Sequence, residues 1–421
     1  MTVADSLDTQ RLVQDSLDLV NMDSPTGKEG EVGELYASKL RALGMKVTMQ
    51  EVEDRRYNVL ATLSGNNPEG ATLMFNGHLD TSFAASENLE ILKAISPVYR
   101  PGPPWGRVEG EWIYGMGAFN MKSALAAYTA AVRTIQDSGE KMTGSIVIAG
   151  VIGEIEKAQV DGYKGAQYRG YGHGTAYLVS HGGTADVAIL GEPTGLRLMC
   201  AHSGSCWFKI SLKGTLVHTG HAGNVSNAIQ QMNKIISTLE KWVPDYRFRF
   251  SYKGVEPTVN IGAIEGGWPW RASRTPAFCN LYLDVRFPPR YHALRIKREV
   301  QTVLDQVKKE HGITAELELY VTDEWSEVSE EEYVSKSVKN AHHEVFGSPA
   351  ESVYFSWSSD ANVLTRHGII AVNYGPSGGA GKETRGTMYI PNLTKCAQVY
   401  TVATLDICSK LSSDVRKMNP A

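Results

Sequence analysis

The apolar positions of this chain follow two alternating rhythms, one helical and one strand-like. "GEVGELYASKLRALG" keeps helical spacing and ends at Gly44, a residue suited to the left-handed turn that closes a helix. "MKVTMQEV" and "YNVLATLSG" alternate as strands, and the turn cluster "GNNPEG" follows the second. "ATLMFNGHLD" is an apolar strand whose carboxyl end turns polar, and "MKSALAAYTAAVRTIQDSG" is a helix. "GSIVIAGVIGE" is a second buried strand ending in an acid, and "ADVAILGEPTG" repeats the design a third time. In open α/β sheets, ligands sit beyond the carboxyl ends of the strands. Three apolar strands that each end in imidazole or carboxylate therefore predict chemistry there.

The pattern changes near Ser205. "CWFKISLKGTLVHTG", "FCNLYLDVRF" and "AELELYV" read as strands with one exposed face. "NVSNAIQQMNKIISTLEKWV" and "YHALRIKREVQTVLDQVKKEHG" are amphipathic helices. The order strand-helix-strand-strand-helix-strand predicts an inserted ferredoxin-like domain. The α/β pattern resumes at "SEEEYVSKSVKNAHHEVFG". The expected division is residues 1–204 and 323–421 as one α/β domain, with 205–322 inserted. No repeat or low-complexity tract interrupts it, and "RPGPPWG" at 100–106 reads as a rigid loop.

The bulk numbers agree with this division. A chain of 421 residues is too long for one ordinary core. Its 42% hydrophobic and 21% charged content is that of a soluble globular protein. A net charge of -4 gives no basic face, so neither nucleic acid nor a membrane is an expected partner. The scattered cysteines (Cys200, Cys206, Cys279, Cys396, Cys408) form no CxxC pair and read as buried free thiols in a reducing compartment. The acidic, amphipathic N-terminus resembles neither a signal nor a transit peptide, and no apolar run is long enough to span a bilayer. The expected location is cytoplasmic.

"GHLDTS" places His78 and Asp80 two apart at a strand end. If the segment is extended, Asp80 can bond one imidazole nitrogen while the other binds a metal. Alone, this pair reads equally as a solvated turn. "VIGEIEKA" supplies Glu154 and Glu156, either of them a candidate general base or an ordinary solvated acid. "LGEPTG" adds Glu192 before a proline that locks the turn.

"GHLDT", "YGMGAFNMKSALAA", "GEIE", "GEPTG" and "GTLVHTGHAGNVSNAI" stand in the order found in the aminoacylase, carboxypeptidase G and acetylornithine deacetylase family of metallohydrolases, which this chain resembles over nearly its whole length. "TVNIGAIEGG", "LDVRFPPR" and "SSDANVL…HGIIAVNYGPSG" continue the resemblance. It implies a zinc-peptidase-like α/β/α catalytic domain with a mixed sheet, interrupted by a ferredoxin-like α+β dimerisation domain acting as a lid. It also implies a homodimer or higher homo-oligomer. By position, His78 and Glu192 would be ligands of the first metal, Asp80 the partner of His78, and Glu154 the general base. His218 would reach the partner subunit's site and stabilise an oxyanion. Asn260, Arg290, Gly375 and His221 fall among the residues that hold substrate.

Three departures from the family pattern decide what is expected of the metal. The family's bridging aspartate is Asn120 here, which offers only a neutral carbonyl oxygen. The second acid of its Glu-Glu pair is Ile155. Between "NYGPSG" and "MYIPNL", "GAGKETRGT" has no histidine. All three changes strike the second metal site or the bridge, while His78 and Glu192 are kept. The expectation is one divalent ion per subunit, manganese or zinc, held by His78, Glu192 and either Asn120 or Glu156.

Family resemblance implies hydrolysis of a C–N bond on a small carboxylate substrate, which a planar aromatic acid would satisfy. The leading expectation is deamination of 5-nitroanthranilate to 5-nitrosalicylate and ammonia by metal-activated water, the nitro group carrying the developing charge. The alternatives are a one-metal deacylase of N-acyl amino acids and an inactive dimeric binding protein. Other features have ordinary readings. His342 and His343 are expected to be partly exposed on a helix, and Trp268 and Trp270 to pack in the core or lid. His173 and His181 flank a Gly/Tyr-rich stretch that reads as an active-site loop, and His202 is an outside candidate.

Overall fold

The computed structural model describes residues 2–86, 90, 102–160, 170–223, 225–378 and 386–416. The chain forms two compact units, Met1–Cys200 with Val328–Val353 and Ser359–Ala421, and Ala201–Glu327 with Tyr354–Ser358.

The first unit opens with helices α1 (Thr9–Val20) and α2 (Gly30–Ala42), then strands β1 (Lys46–Glu53), β2 (Arg56–Leu63) and β3 (Thr72–His78). A short hairpin, β4 (Arg107–Glu109) and β5 (Trp112–Tyr114), leads into α3 (Ser123–Ser138) and β6 (Ser145–Val151). Helix α4 (His173–Ser180), β7 (Val187–Leu190) and β8 (Leu198–His202) follow. The second unit contributes β9 (Gly204–Lys213), α5 (Ala228–Arg249), β10 (Val259–Gly266), β11 (Phe278–Phe287), α6 (Ala293–His311) and β12 (Glu316–Asp323). The first unit then resumes with α7 (Tyr333–Phe346), α8 (Ala361–Arg366), β13 (Ile370–Asn373), β14 (Thr387–Tyr389), α9 (Ile390–Ile407) and α10 (Ser412–Val415).

The large sheet runs β1-β2-β6-β3-β7-β13-β8. Its centre is parallel, β6 to β3, β3 to β7 and β7 to β13, while β1, β2 and β8 join antiparallel. Strand residues point alternately to the two faces, and both faces are covered. Phe75 packs with Leu125 and Tyr128 of α3 and Tyr400 of α9 on one side. Met74, Val147 and Ala188 pack with Leu178 of α4 and Leu364 of α8 on the other. The expected three-layer α/β/α arrangement with a mixed sheet is therefore what forms.

The second unit is a four-stranded antiparallel sheet, order β10-β11-β9-β12. Ile235 and Leu239 of α5 and Val300 and Leu304 of α6 pack with Phe208, Ile210, Leu281 and Leu283 of the sheet. Strand order and helix placement are those of the ferredoxin-like motif.

Two expectations fail here. His342 is only 9% exposed: its Nδ1 lies 2.7 Å from Tyr374 Oη, and its ring stacks on Phe346. A polar ring enters the core because a buried hydroxyl is there to pair with it. Trp270 is 78% exposed rather than packed, because it sits on a short 3-10 turn that lacks a buried face. Trp268 meets Phe278 edge-on. The five cysteines are buried and free, as expected. The loop expected at 100–106 lies partly outside the described residues, as does part of the Gly/Tyr-rich stretch. Among the described residues no helix is long and apolar enough to cross a membrane.

Candidate metal centre

The parallel centre of the sheet brings three strand ends to one edge. His78 closes β3 opposite Val151, the last residue of β6, so Glu154 follows just beyond the same edge. Leu190 closes β7 opposite Asn76, and Glu192 lies two residues further on. Asn120 comes from the turn before α3, at extended angles inside an otherwise helical segment, and its peptide bond to Met121 is cis.

His78 is buried, and its Nδ1 lies 2.8 Å from the main-chain oxygen of Asp80. A carbonyl only accepts, so Nδ1 carries a hydrogen and Nε2 is the nitrogen turned into the cluster. Nε2 lies 3.0 Å from Asn120 Oδ1, 3.7 Å from Glu154 Oε2 and 3.9 Å from Glu192 Oε1. One donor atom from each of His78, Glu154 and Glu192 falls within 4.8 Å of the others.

Asp80 does its work differently from the expectation. Its carboxylate stands 3.6 Å from His78 Nδ1, and the shorter bond comes from its backbone oxygen instead. The carboxylate oxygens accept from Thr26 Oγ1 and from the N–H groups of Glu154 and Ile155. Asp80 thus orients the imidazole through its main chain and pins the strand end that carries Glu154 through its side chain.

Burial and neighbouring charge shift the titration of this cluster. Burial, then the charges of Glu192, Asp360, Asp80 and Glu156, hold the Glu154 carboxyl well above the ordinary carboxylate range. Burial also raises Glu192, with His78 opposing and Asp80 and Glu156 adding to the rise. Burial pulls His78 down, but the charges of Glu192 and Asp80 and the bonds to Asn120 and Asp80 more than offset it, leaving it above 6.5. Acids held toward the protonated form beside a buried imidazole make an arrangement that a bound cation would stabilise. An imidazole nitrogen, two carboxylates and an amide oxygen suit a divalent ion of the manganese or zinc type. Ile155, half-buried and apolar, offers no donor to a second ion, and Glu156 is exposed and outside the cluster.

Gly375 serves packing. Its N–H donates to Thr194 Oγ1, and a Cβ there would stand 2.2 Å from the main-chain oxygen of Glu192. Only glycine lets this loop pass so close beneath Glu192. His218, His221, Asn260 and Arg290 belong to the second unit, where each is exposed; Arg290 lies 3.4 Å from Glu327. His173 Nε2 lies 3.0 Å from Glu53 Oε1, and His181 stacks on Tyr177.

Two residues near the cluster escaped the sequence reading. Asp360 is buried, accepts a 2.5 Å bond from Thr175 Oγ1, and bears electrostatically on Glu154. It lies in "SSDANVL", a segment whose only sequence signal was the family resemblance. Lys122 is buried, donates to the main-chain oxygen of Met22, and is pulled down by that burial to about 7. Nothing in "FNMKSA" distinguishes it from an exposed lysine.

The chain is similar to several known proteins. Residues 200–312 match the model of the peptidase dimerisation domain. The chain is 25% identical over 390 residues to an N-formyl-4-amino-5-aminomethyl-2-methylpyrimidine deformylase of Halalkalibacterium halodurans, covering 87% of this chain and 86% of that one. It is 31% identical over 261 residues to an acetylornithine deacetylase of Photorhabdus laumondii, covering 60% and 59%. Its fold is that of the dipeptidase Dug1p from Saccharomyces cerevisiae (TM-score 0.74, 12% identity, 97% and 98% covered). The metallo-carboxypeptidase Sso-CP2 from Sulfolobus solfataricus is similar to it too (TM-score 0.72, 17% identity, 94% and 99% covered).

Proposed function

We propose that this chain, which belongs to the M20 family of metal-dependent amidohydrolases and exopeptidases, works with one divalent cation, manganese or zinc, held by His78, Glu192 and Asn120. The observation that carries this reading is the His78–Glu154–Glu192 triangle, with Nε2 of His78 turned into it and two carboxyls held above their ordinary range. When bound, the cation supplies Lewis acidity, lowering the pKa of a neighbouring water.

The remaining work falls to side chains. Glu154 takes the proton from the attacking water at Oε2, because its environment favours the protonated product of that transfer. Asp80 holds the His78 tautomer and the Glu154 backbone in place. His218, from a partner subunit, stabilises the developing negative charge, and Arg290, Asn260 and His221 hold the substrate carboxylate. For these four the support is the family resemblance. The segment 205–322 acts as the dimerisation domain.

Within this class, the reading we place first is hydrolytic deamination of 5-nitroanthranilate. A nitro-substituted ring carries its own electron sink, which reduces the demand for the second ion that Asn120 and Ile155 no longer support. Deacylation of an N-acyl amino acid is the second reading, favoured by the deacetylase and deformylase relatives. That the relatives are a deformylase and a deacetylase weighs against an inactive binding protein.

The test incubates the protein with manganese or zinc and, separately, with 5-nitroanthranilate and a panel of N-acyl amino acids. Ammonia release from the first supports deamination, and free amino acid from the second supports deacylation. Tight binding without turnover in either assay rejects the enzyme.

A further inference from the structure

The parallel ladder between β3 and β7 stops at Asn76 and Leu190, just short of the residues that matter. His78 lies two positions beyond Asn76, and Glu192 two beyond Leu190. What joins the strands past that point is the hydroxyl of a tyrosine. Tyr128, on α3, is fully buried, with its ring stacked on Phe75 at 4.7 Å. Its Oη donates to the main-chain oxygen of Asn76 at 2.9 Å and accepts from the N–H of Gly191 at 2.5 Å.

A regular parallel ladder would join those two backbone groups directly. Here one hydroxyl oxygen stands between them, so the strands are bridged and held apart by a fixed amount. Gly191 has no side chain because a Cβ would lie 2.5 Å from that oxygen. The residue after Gly191 is Glu192, and its Oε1 meets His78 Nε2 at 3.9 Å across the opening.

We propose that Tyr128 is a positioning residue for the metal centre: its hydroxyl sets the spacing between the strand ends that carry His78 and Glu192, and thereby the affinity for the cation. This rests on the reading that those two residues hold the ion. Ligand affinity is steep in geometry, and groups that orient metal ligands cost 10–100-fold in affinity when removed. Tyr128→Phe keeps the ring and its stacking and removes only the bridge.

Tyr36→Phe is the control. Tyr36 is equally buried, and its hydroxyl bonds the main-chain oxygen of Leu125 on α3 rather than a strand end. Manganese dissociation constants are measured for wild type, Tyr128→Phe, Tyr36→Phe and His78→Ala, by electron paramagnetic resonance of the free ion. Melting temperatures are taken without metal. The expected result is manganese affinity weakened at least tenfold in Tyr128→Phe and within twofold of wild type in Tyr36→Phe, with both variants losing melting temperature. Added manganese then restores turnover in Tyr128→Phe.

If wild type and His78→Ala bind manganese alike, the metal assignment fails and takes this inference with it. If His78→Ala abolishes binding while Tyr128→Phe binds as wild type does, the metal assignment stands and this inference alone is overturned. Equal weakening in both tyrosine variants also overturns it, because the cause would be general loosening of the core.

Discussion

Replacing Glu154 by glutamine isolates the proposed base from everything else the residue does. The backbone bonds of Glu154, from its N–H to the Asp80 carboxylate and from Tyr171 N–H to its oxygen, involve none of its own side-chain atoms and survive the change. Glutamine is nearly isosteric, so the cavity keeps its shape. What changes is one ionisable oxygen within 4.8 Å of the donor atoms of His78 and Glu192. At an effective dielectric constant of about 20, two unit charges at that separation interact by roughly 3 kcal/mol. Removing the acid therefore relieves up to that much repulsion in the metal-free protein, and the variant is expected to melt no lower than wild type. For the same electrostatic reason it binds a cation more weakly, so activity must be compared at saturating manganese. Under those conditions the loss of a positioned base costs about 10²- to 10⁴-fold in kcat, or roughly 3–5 kcal/mol in the barrier. KM should stay within about threefold. The assay is product release from 5-nitroanthranilate or from an N-acyl amino acid, whichever wild type turns over, followed at several metal concentrations. A kcat within tenfold of wild type at saturating metal would refute the assignment, because a spectator carboxylate predicts that result and a base does not.

Metal analysis of protein purified with manganese should give one tightly held ion per chain, and exhaustive chelation should abolish turnover; two tight ions, or activity that survives chelation, contradicts the one-ion reading. Glu29→Gln should destabilise the first unit by at most about 3–5 kcal/mol, since it takes a buried carboxylate from the fully buried Arg56 guanidinium, whose Nε and Nη2 that carboxylate now engages at 2.8 and 2.7 Å, while Glu53 still pairs with Nη1 at 2.6 Å. Denaturant midpoints for this variant and for a double replacement of Glu29 and Arg56 by methionine check it, the double variant recovering most of the loss. Burial lowers the pKa of His342, so the native state resists a proton that the unfolded chain accepts near pH 6.5. Stability is thus complete above that pH and declines as pH falls toward the lowered native value, with a slope of at most about 1.4 kcal/mol per unit. His342→Gln should flatten this slope between pH 7 and 5 in chemical denaturation, and an unchanged slope would assign the effect to other groups.

The sequence by itself determined the elements and the edge on which the chemistry stands. Alternation and helical spacing are local properties, and a strand that is apolar until its last residues and then polar can only present those residues at a sheet edge. That is why His78, Glu154 and Glu192 were legible before any coordinates, and why the ferredoxin-like order of the second unit was too. That Asn120 and Ile155 stand where acids are expected was legible only through the family resemblance, since a residue type does not say what its position calls for.

Only the tertiary structure decided which atoms meet. Asp80 bonds His78 through its backbone because Thr26 and two main-chain N–H groups occupy its carboxylate. His342 is buried because Tyr374, remote in sequence, offers it a hydroxyl. Asp360 reaches the electrostatic field of Glu154 from a segment two hundred residues away, and Tyr128 bridges two strands from a helix whose spacing shows only that it faces the core. Periodicity says which face of an element is buried. It carries no information about which polar atom waits on the far side of the core, and hydrogen bonds and buried charges are settled by that pairing.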